Sequence, residues 1–145
     1  VRHGVDSKTG TVVTFLYLET DQMSRELMSH KVSGLNEALK IEVLDEPGPG
    51  NACHQYRIEL EDGSEDAPGF YIGFQRGPIK EAGVNGISNE ALLAIVEDRL
   101  LGFQSGEFAC PENATALIKI QEAMMWLQKR THDRLRRGVE GTNVK

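Results

Sequence analysis

Apolar positions alternate with polar ones along the front of the chain and recur every three to four residues along the back, which divides it into strand-forming and helix-forming halves. Thr11 to Glu19 (TVVTFLYLE) is rich in β-branched and aromatic residues, and Ala38 to Asp45 alternates through Ile41, Val43 and Asp45. Glu46-Pro47-Gly48-Pro49-Gly50-Asn51 then interrupts the pattern, since proline has no N–H to give a ladder and glycine favours turns. Tyr56 to Glu61 (YRIELE) alternates again, Asp62-Gly63 signals a turn, and Gly69 to Arg76 (GFYIGFQR) resumes as an aromatic strand. These runs predict a small antiparallel sheet.

After Gly77-Pro78, the segment IKEAGVNGIS carries two glycines and Asn85, which predicts a tight irregular turn rather than an element. A backbone approach of Gly83 to Gly86 toward a ligand is the other reading of the same residues. It is not a phosphate loop, because neither a Gly-Lys-Ser/Thr end nor G-x-G-x-x-G occurs. Ser88 suits the N-cap of a helix from Asn89 to about Gln104, with Leu92, Ile95, Val96, Leu100 and Phe103 on one face and Ser105-Gly106 at its end. Pro111 stands where a second helix should start and Gly138 where it should stop. Along that helix Leu117, Ile120, Met124, Leu127, Thr131 and Arg134 form a seam that turns polar toward its end. Trp126 falls outside the seam, which leaves it to pack on the sheet or to meet a second subunit. The expected fold is α+β: a small N-terminal antiparallel β-sheet within residues 1–77, then a connector and a C-terminal antiparallel two-helix hairpin within 78–145, in one compact unit.

Composition narrows the function classes. With 22 acidic against 16 basic residues among 145, the net charge is −6, so a broad basic field for DNA, RNA or a membrane surface is not expected. No apolar run reaches the ~18 to 20 residues of a membrane span, and residues 1 to 30 lack the pattern of a signal peptide. A cytoplasmic protein is therefore expected. Position 1 is Val, so an unusual start, a trimmed end and a start at Met28 stay open, and residues 1–27 are left without a role. Cys53 and Cys110 have no C-x-x-C or Cys/His companion at ligand spacing, which points to free thiols and to neither metal nor cofactor. His54 beside Cys53 would face the opposite way on a strand, against a catalytic pair. Asn113-Ala114-Thr115 matches a glycosylation sequon, which has no chemistry without secretion.

Against the acidic background, Lys129-Arg130-Thr131-His132-Asp133-Arg134-Leu135-Arg136-Arg137 places five cations around one acid. Arg130 and Arg134 lie one turn apart on one face, and the planar guanidinium makes bidentate bonds to phosphate, so the two can grip one pyrophosphate. A basic last turn that only complements the helix dipole is the equally open alternative.

Several segments together carry a specific resemblance: Gly77-Pro78-Ile79-Lys80-Glu81-Ala82-Gly83-Val84-Asn85-Gly86, Asn89 to Val96, Gln121-Glu122-Ala123-Met124-Met125-Trp126-Leu127, and Arg130-Thr131 to Gly138-Val139-Glu140-Gly141-Thr142. From about residue 70 to the end, the chain resembles the hairpin domain shared by the phage Thoeris anti-defence protein one and anti-CBASS protein two families. The strand-rich front is closer to the former branch, the other being smaller and mostly helical. The resemblance implies a sponge: a non-enzyme, without catalytic residues, that sequesters uncleaved the glycocyclic ADP-ribose-type signals made by bacterial TIR enzymes, assembled as a homodimer or homohexamer. Some members also hold cyclic di- or trinucleotides at separate sites. The family's ligand pattern maps onto Phe103, stacking on adenine, Asn113, bonding near it, and Arg130 and Arg134, holding phosphates.

Asn113 and Arg130 are separated by about 26 Å of helix at 1.5 Å per residue, more than a compact nucleotide spans. The mapped site therefore needs the basic end of one protomer against the turn of another, most simply in a two-fold dimer with head-to-tail hairpins. Two further classes stand beside the sponge. A cyclic-nucleotide hydrolase would need a metal cluster or a positioned nucleophile and base, for which Glu97 and Asp98 beside Arg99 are the nearest acids and fit a solvated face. A helical hairpin that only oligomerises would bind no nucleotide.

Overall fold

The structure, a computed structural model, describes residues 3–5, 12–14, 24–61 and 69–145. Strands β1 (His3–Val5) and β2 (Val12–Thr14) pair antiparallel. The remainder of the strand expected over Thr11 to Glu19, and the Asp62-Gly63 turn, lie outside the described residues.

A four-stranded antiparallel sheet follows, in the order β3 (Arg25–Leu27), β4 (Leu39–Val43), β5 (Gln55–Leu60), β6 (Gly69–Gly73). The short edge strand β3 was not expected, because Arg-Glu-Leu offers too little alternation to read. Registers such as Ile41↔Ile58 and Tyr56↔Ile72 stack the apolar positions of neighbouring strands on one face. Val43, 1% exposed, is the one buried hydrophobic residue among those described. The opposite face is ionic: Lys40 Nζ lies 3.0 Å from Glu42, and Arg57 pairs with both Glu42 and Glu59.

The break after β4 is closed by Asp45. Its carboxylate accepts the backbone N–H groups of His54 and Gln55, each at 3.0 Å, around a 3-10 turn at Pro49–Asn51. Burial alone would raise the Asp45 carboxyl; the N–H groups of Gln55 and His54, then the His54 and Arg76 side chains, outweigh it and hold it below the usual carboxylate range. A carboxyl whose folded pKa is depressed adds stability that is complete above its unfolded value and is lost as pH falls through the folded one. Asp45→Asn should thus be less stable than the parent at neutral pH, and urea denaturation should show that gap closing below about pH 4. A gap constant down to the acid limit would mean that Asp45 contributes through shape alone.

One expectation about this loop is corrected. Cys53 and His54 precede β5 rather than lying on it, so strand alternation does not send them apart; both line one cleft.

The connector holds more structure than an irregular turn. Ile79–Ala82 forms a single helical turn, α1, because Pro78 presets the extended entry and Gly83, at φ 69, supplies the exit. Phe74 and Ile87 form a parallel bridge. Asn85 grips Arg76 from both sides, Oδ1 accepting its N–H at 2.8 Å and Nδ2 donating to its carbonyl at 2.9 Å. Gln75 Oε1 accepts the Asn85 N–H at 2.9 Å and Gln75 Nε2 donates to the Gly83 carbonyl at 2.8 Å. The glycine-rich segment is thereby bound to the end of the sheet.

Helices α2 (Asn89–Gln104) and α3 (Pro111–Arg136) pack as the expected hairpin. Ser88 Oγ accepts the Ala91 N–H at 3.2 Å. Ser88→Ala should lower stability by about 1 kcal/mol, read as a shift in the denaturation midpoint. Along α3, Leu117, Ile120, Met124, Leu127, Thr131 and Arg134 are all half-buried, as their spacing predicts. On α2 the expected face holds at Leu92 and Leu100, both half-buried, and is corrected at its other positions. Leu93, Glu97, Leu100 and Gln104 form the half-buried stripe, with Gln121 Nε2 donating to Glu97 at 3.0 Å. Ile95, Val96 and Phe103 remain 59%, 41% and 40% exposed. The period locates an apolar stripe, but it does not say what covers it.

Candidate functional site

The last turns of α3 and the tail after them enclose a groove of about 820 Å³. Its walls include Trp126, Lys129, Arg130, Arg134, Arg137 and Lys145, and Gly50 reaches it from the 3-10 turn. Trp126, Arg130 and Arg134 follow one another at i, i+4 and i+8, a single stripe along α3.

The five cations are not equivalent. Lys129 Nζ bonds Asp133 at 2.7 Å and Arg136 pairs with the same carboxylate, so Lys129 first and Arg136 next hold the Asp133 carboxyl below its usual range. Arg137 Nη1 donates to the Lys145 carbonyl at 2.9 Å. Arg134, whose side chain is 13% exposed, is committed further: Nε bonds Glu140 at 2.8 Å, Nη1 the Val144 carbonyl at 2.8 Å, and Nη2 the carbonyls of Val139 at 3.0 Å and Thr142 at 2.8 Å. Four of its donor contacts thus fold the tail onto the helix end. The tail in turn docks on α1, where the Lys80 N–H meets the Gly141 carbonyl at 3.1 Å and Asn143 Nδ2 donates to Glu81 at 3.1 Å. Arg130 is exposed and makes no hydrogen bond or ion pair with a described residue. Its guanidinium stands in the groove wall without a described partner, while Arg134 shapes the wall beside it.

Phe103 and Asn113 lie at the other end of the hairpin. The Arg99 guanidinium stands 5.6 Å from the Phe103 ring centroid. Asn113 is half-buried in the first turn of α3, its N–H donating to Cys110 Sγ at 3.4 Å, and Cys110 N–H donates to Gln104 Oε1 at 3.0 Å across the link. The structure brings Phe103 to the same end as Asn113 and Arg130 beside Arg134. Within one chain the continuous α3 keeps the two pairs about 26 Å apart.

A second cleft, of about 620 Å³, separates the apolar sheet face from the start of α2, with Arg130 at its edge. Ile41, Ile58, Ile72 and Leu92 line it, together with Tyr56 and Phe74, whose rings meet edge to face at 5.5 Å. His54, 5% exposed, also lines it; its Nδ1 has no hydrogen-bond partner and lies 3.9 Å from Asp45. Sequence periodicity flagged this face as apolar but not as partly uncovered. Among the described residues no group of three or more His, Cys, Asp or Glu side chains could hold a metal ion, and no helix is long and apolar enough to cross a membrane.

Comparison with known proteins bears out the resemblance carried by the hairpin residues. Residues 66–132 match the family described as "Acb2/Tad1, hairpin domain". Over 74 residues the chain is 55% identical to "Thoeris anti-defense 1" of Bacillus phage SBSphiJ7, a match covering 51% of this chain and 52% of that protein. The matched region thus spans about half the length of that relative.

Proposed function

The chain carries the hairpin domain of the Acb2/Tad1 family and is a relative of Thoeris anti-defense 1, and on that premise we propose that it is a phage anti-defence sponge that sequesters cyclic ADP-ribose-type signals of bacterial TIR enzymes without cleaving them. The observation that carries this reading is the basic groove, in which Arg130 is exposed and unpaired among the described residues while the neighbouring cations are already oriented by Asp133 and the tail. A guanidinium held open in this manner suits the charge-assisted, bidentate contacts that phosphate accepts.

In this reading Phe103 stacks on the adenine, Asn113 bonds near it, and Arg130 and Arg134 meet the phosphates, with the two pairs contributed by different chains. The exposed Ile95, Val96 and Phe103 of α2 support assembly, since an apolar helix face left open is what a second copy would cover. Cyclic di- or trinucleotides are further candidate ligands for a separate site. The host bacterial cytoplasm is where such a protein would act.

The test is to incubate the purified chain with extract from TIR-activated cells, remove free ligand, release the bound fraction by heat and identify it by mass spectrometry. An intact cyclic ADP-ribose isomer is expected. An empty fraction sinks the sponge reading, and a degraded product favours a cyclic-nucleotide hydrolase.

A further inference from the structure

Trp126 is the chain's one tryptophan, and it is 58% exposed. A large ring left open to water on a mostly polar helix face is unfavourable unless something covers it. No described aromatic ring stacks on it and no described cation lies over its face. It nevertheless stands in the wall of the basic groove, one helical turn before Arg130 and on the same stripe. The axial rise from Trp126 to Arg130 is about 6 Å, comparable to the ribose that separates a nucleobase from its first phosphate. Ring and guanidinium are thus spaced for the two ends of one nucleotide, on one helix and in one chain.

We propose that Trp126 is the nucleobase platform of the basic groove: the base of a phosphate-bearing ligand lies on the indole while Arg130 holds its phosphate. This deepens the sequestration reading and rests on it. It also gives the base two aromatic partners, because Phe103 of a second copy, in a head-to-tail assembly, closes on the face that Trp126 leaves open. Stacking on an indole tolerates any base, whereas the phosphate contact does not tolerate its absence. The groove therefore selects for nucleotides as a class, and the closing chain selects among them.

Because the chain has a single tryptophan, its emission reports this site without modification. The protein is titrated with glycocyclic ADP-ribose and, separately, with pyrophosphate, following tryptophan fluorescence and calorimetric heat in parallel and the oligomeric state by sedimentation. The expected result is saturable quenching by the nucleotide, at the affinity calorimetry gives, and none by pyrophosphate. Trp126→Leu should weaken nucleotide binding about tenfold or more, and Trp126→Phe should retain most of it. Calorimetric binding with unchanged emission, or wild-type affinity in Trp126→Leu, overturns the proposal and leaves the sequestration reading standing. Emission that responds to protein dilution but not to ligand also overturns it, assigning the ring to the contact between copies. No binding of the nucleotide by the parent protein overturns both.

Discussion

A Gly86→Ala variant should lose about 3 kcal/mol of stability, the largest effect expected from adding one methyl group at any of the described glycines. A Cβ at this position would lie 2.4 Å from the Phe74 carbonyl carbon, 2.5 Å from its oxygen and 2.6 Å from the Gln75 nitrogen. These are backbone atoms of the strand end, so no side chain can swing aside to make room. The flanking hydrogen bonds oppose retreat: Ile87 N–H donates to the Gly73 carbonyl at 2.9 Å and Gln75 N–H to the Ile87 carbonyl at 2.9 Å. Relief requires breaking that bridge, and with it the direct backbone attachment of the connector to the sheet. The denaturation midpoint should fall at nearly constant m-value. Gly102→Ala, where a Cβ meets nothing within 4 Å on a helix, serves as the control and should be stabilising. A Gly86→Ala protein as stable as its parent would mean that the connector yields freely, contrary to the clamp that Asn85 and Gln75 form.

The second large effect separates two arginines that the sequence makes look alike. Arg134→Ala should release the tail, at about 2 to 3 kcal/mol, because the change leaves half-buried Glu140 and the Thr142 and Val144 carbonyls without this donor, the Val139 carbonyl keeping the Thr142 hydroxyl at 2.6 Å. Hydrogen exchange should accelerate at Val139 and Thr142 while the middle of α3 stays protected. Arg130→Ala should leave stability within about 0.5 kcal/mol of the parent, as expected for an exposed side chain. Its loss should appear in ligand binding instead, about thirtyfold or more for a charge-assisted phosphate contact. Equal loss of stability in both variants, or a tail that stays protected in Arg134→Ala, would contradict this division of labour.

The helices were legible because their ends carry local chemistry. Ser88, Pro111 and Gly138 act through hydrogen bonds and φ preferences that depend on nearest neighbours, and the observed bounds follow them. The seam of α3 was legible for a similar reason, its period being intrinsic to the helix. The face of α2 was not, because Ile95 and Leu93 are both apolar and only the partner helix decides which is covered. β3 escaped notice since its pairing with β4 through Glu26↔Glu42 and Leu27↔Ile41 is a tertiary fact. For the candidate site, sequence placed the aromatic, the asparagine and the two arginines at opposite ends of one hairpin. It did not distinguish Arg130 from Arg134, because the acceptors that occupy Arg134 are mostly backbone carbonyls, which every residue carries and no motif advertises. Trp126 was recognised only as lying outside the seam; its place beside Arg130 depends on the tail that walls the groove.

The contacts between α1 and the tail join positions 62 residues apart in the chain, through Asn143 and Glu81. In topological terms, the connector and both long helices form a loop clasped at its base. Bringing such ends together carries an entropic penalty of the order of 4 kcal/mol, which the helix pairing has already met before the tail docks. The clasp can therefore be held by a few modest bonds, and it should open and close many times within the lifetime of the folded helices.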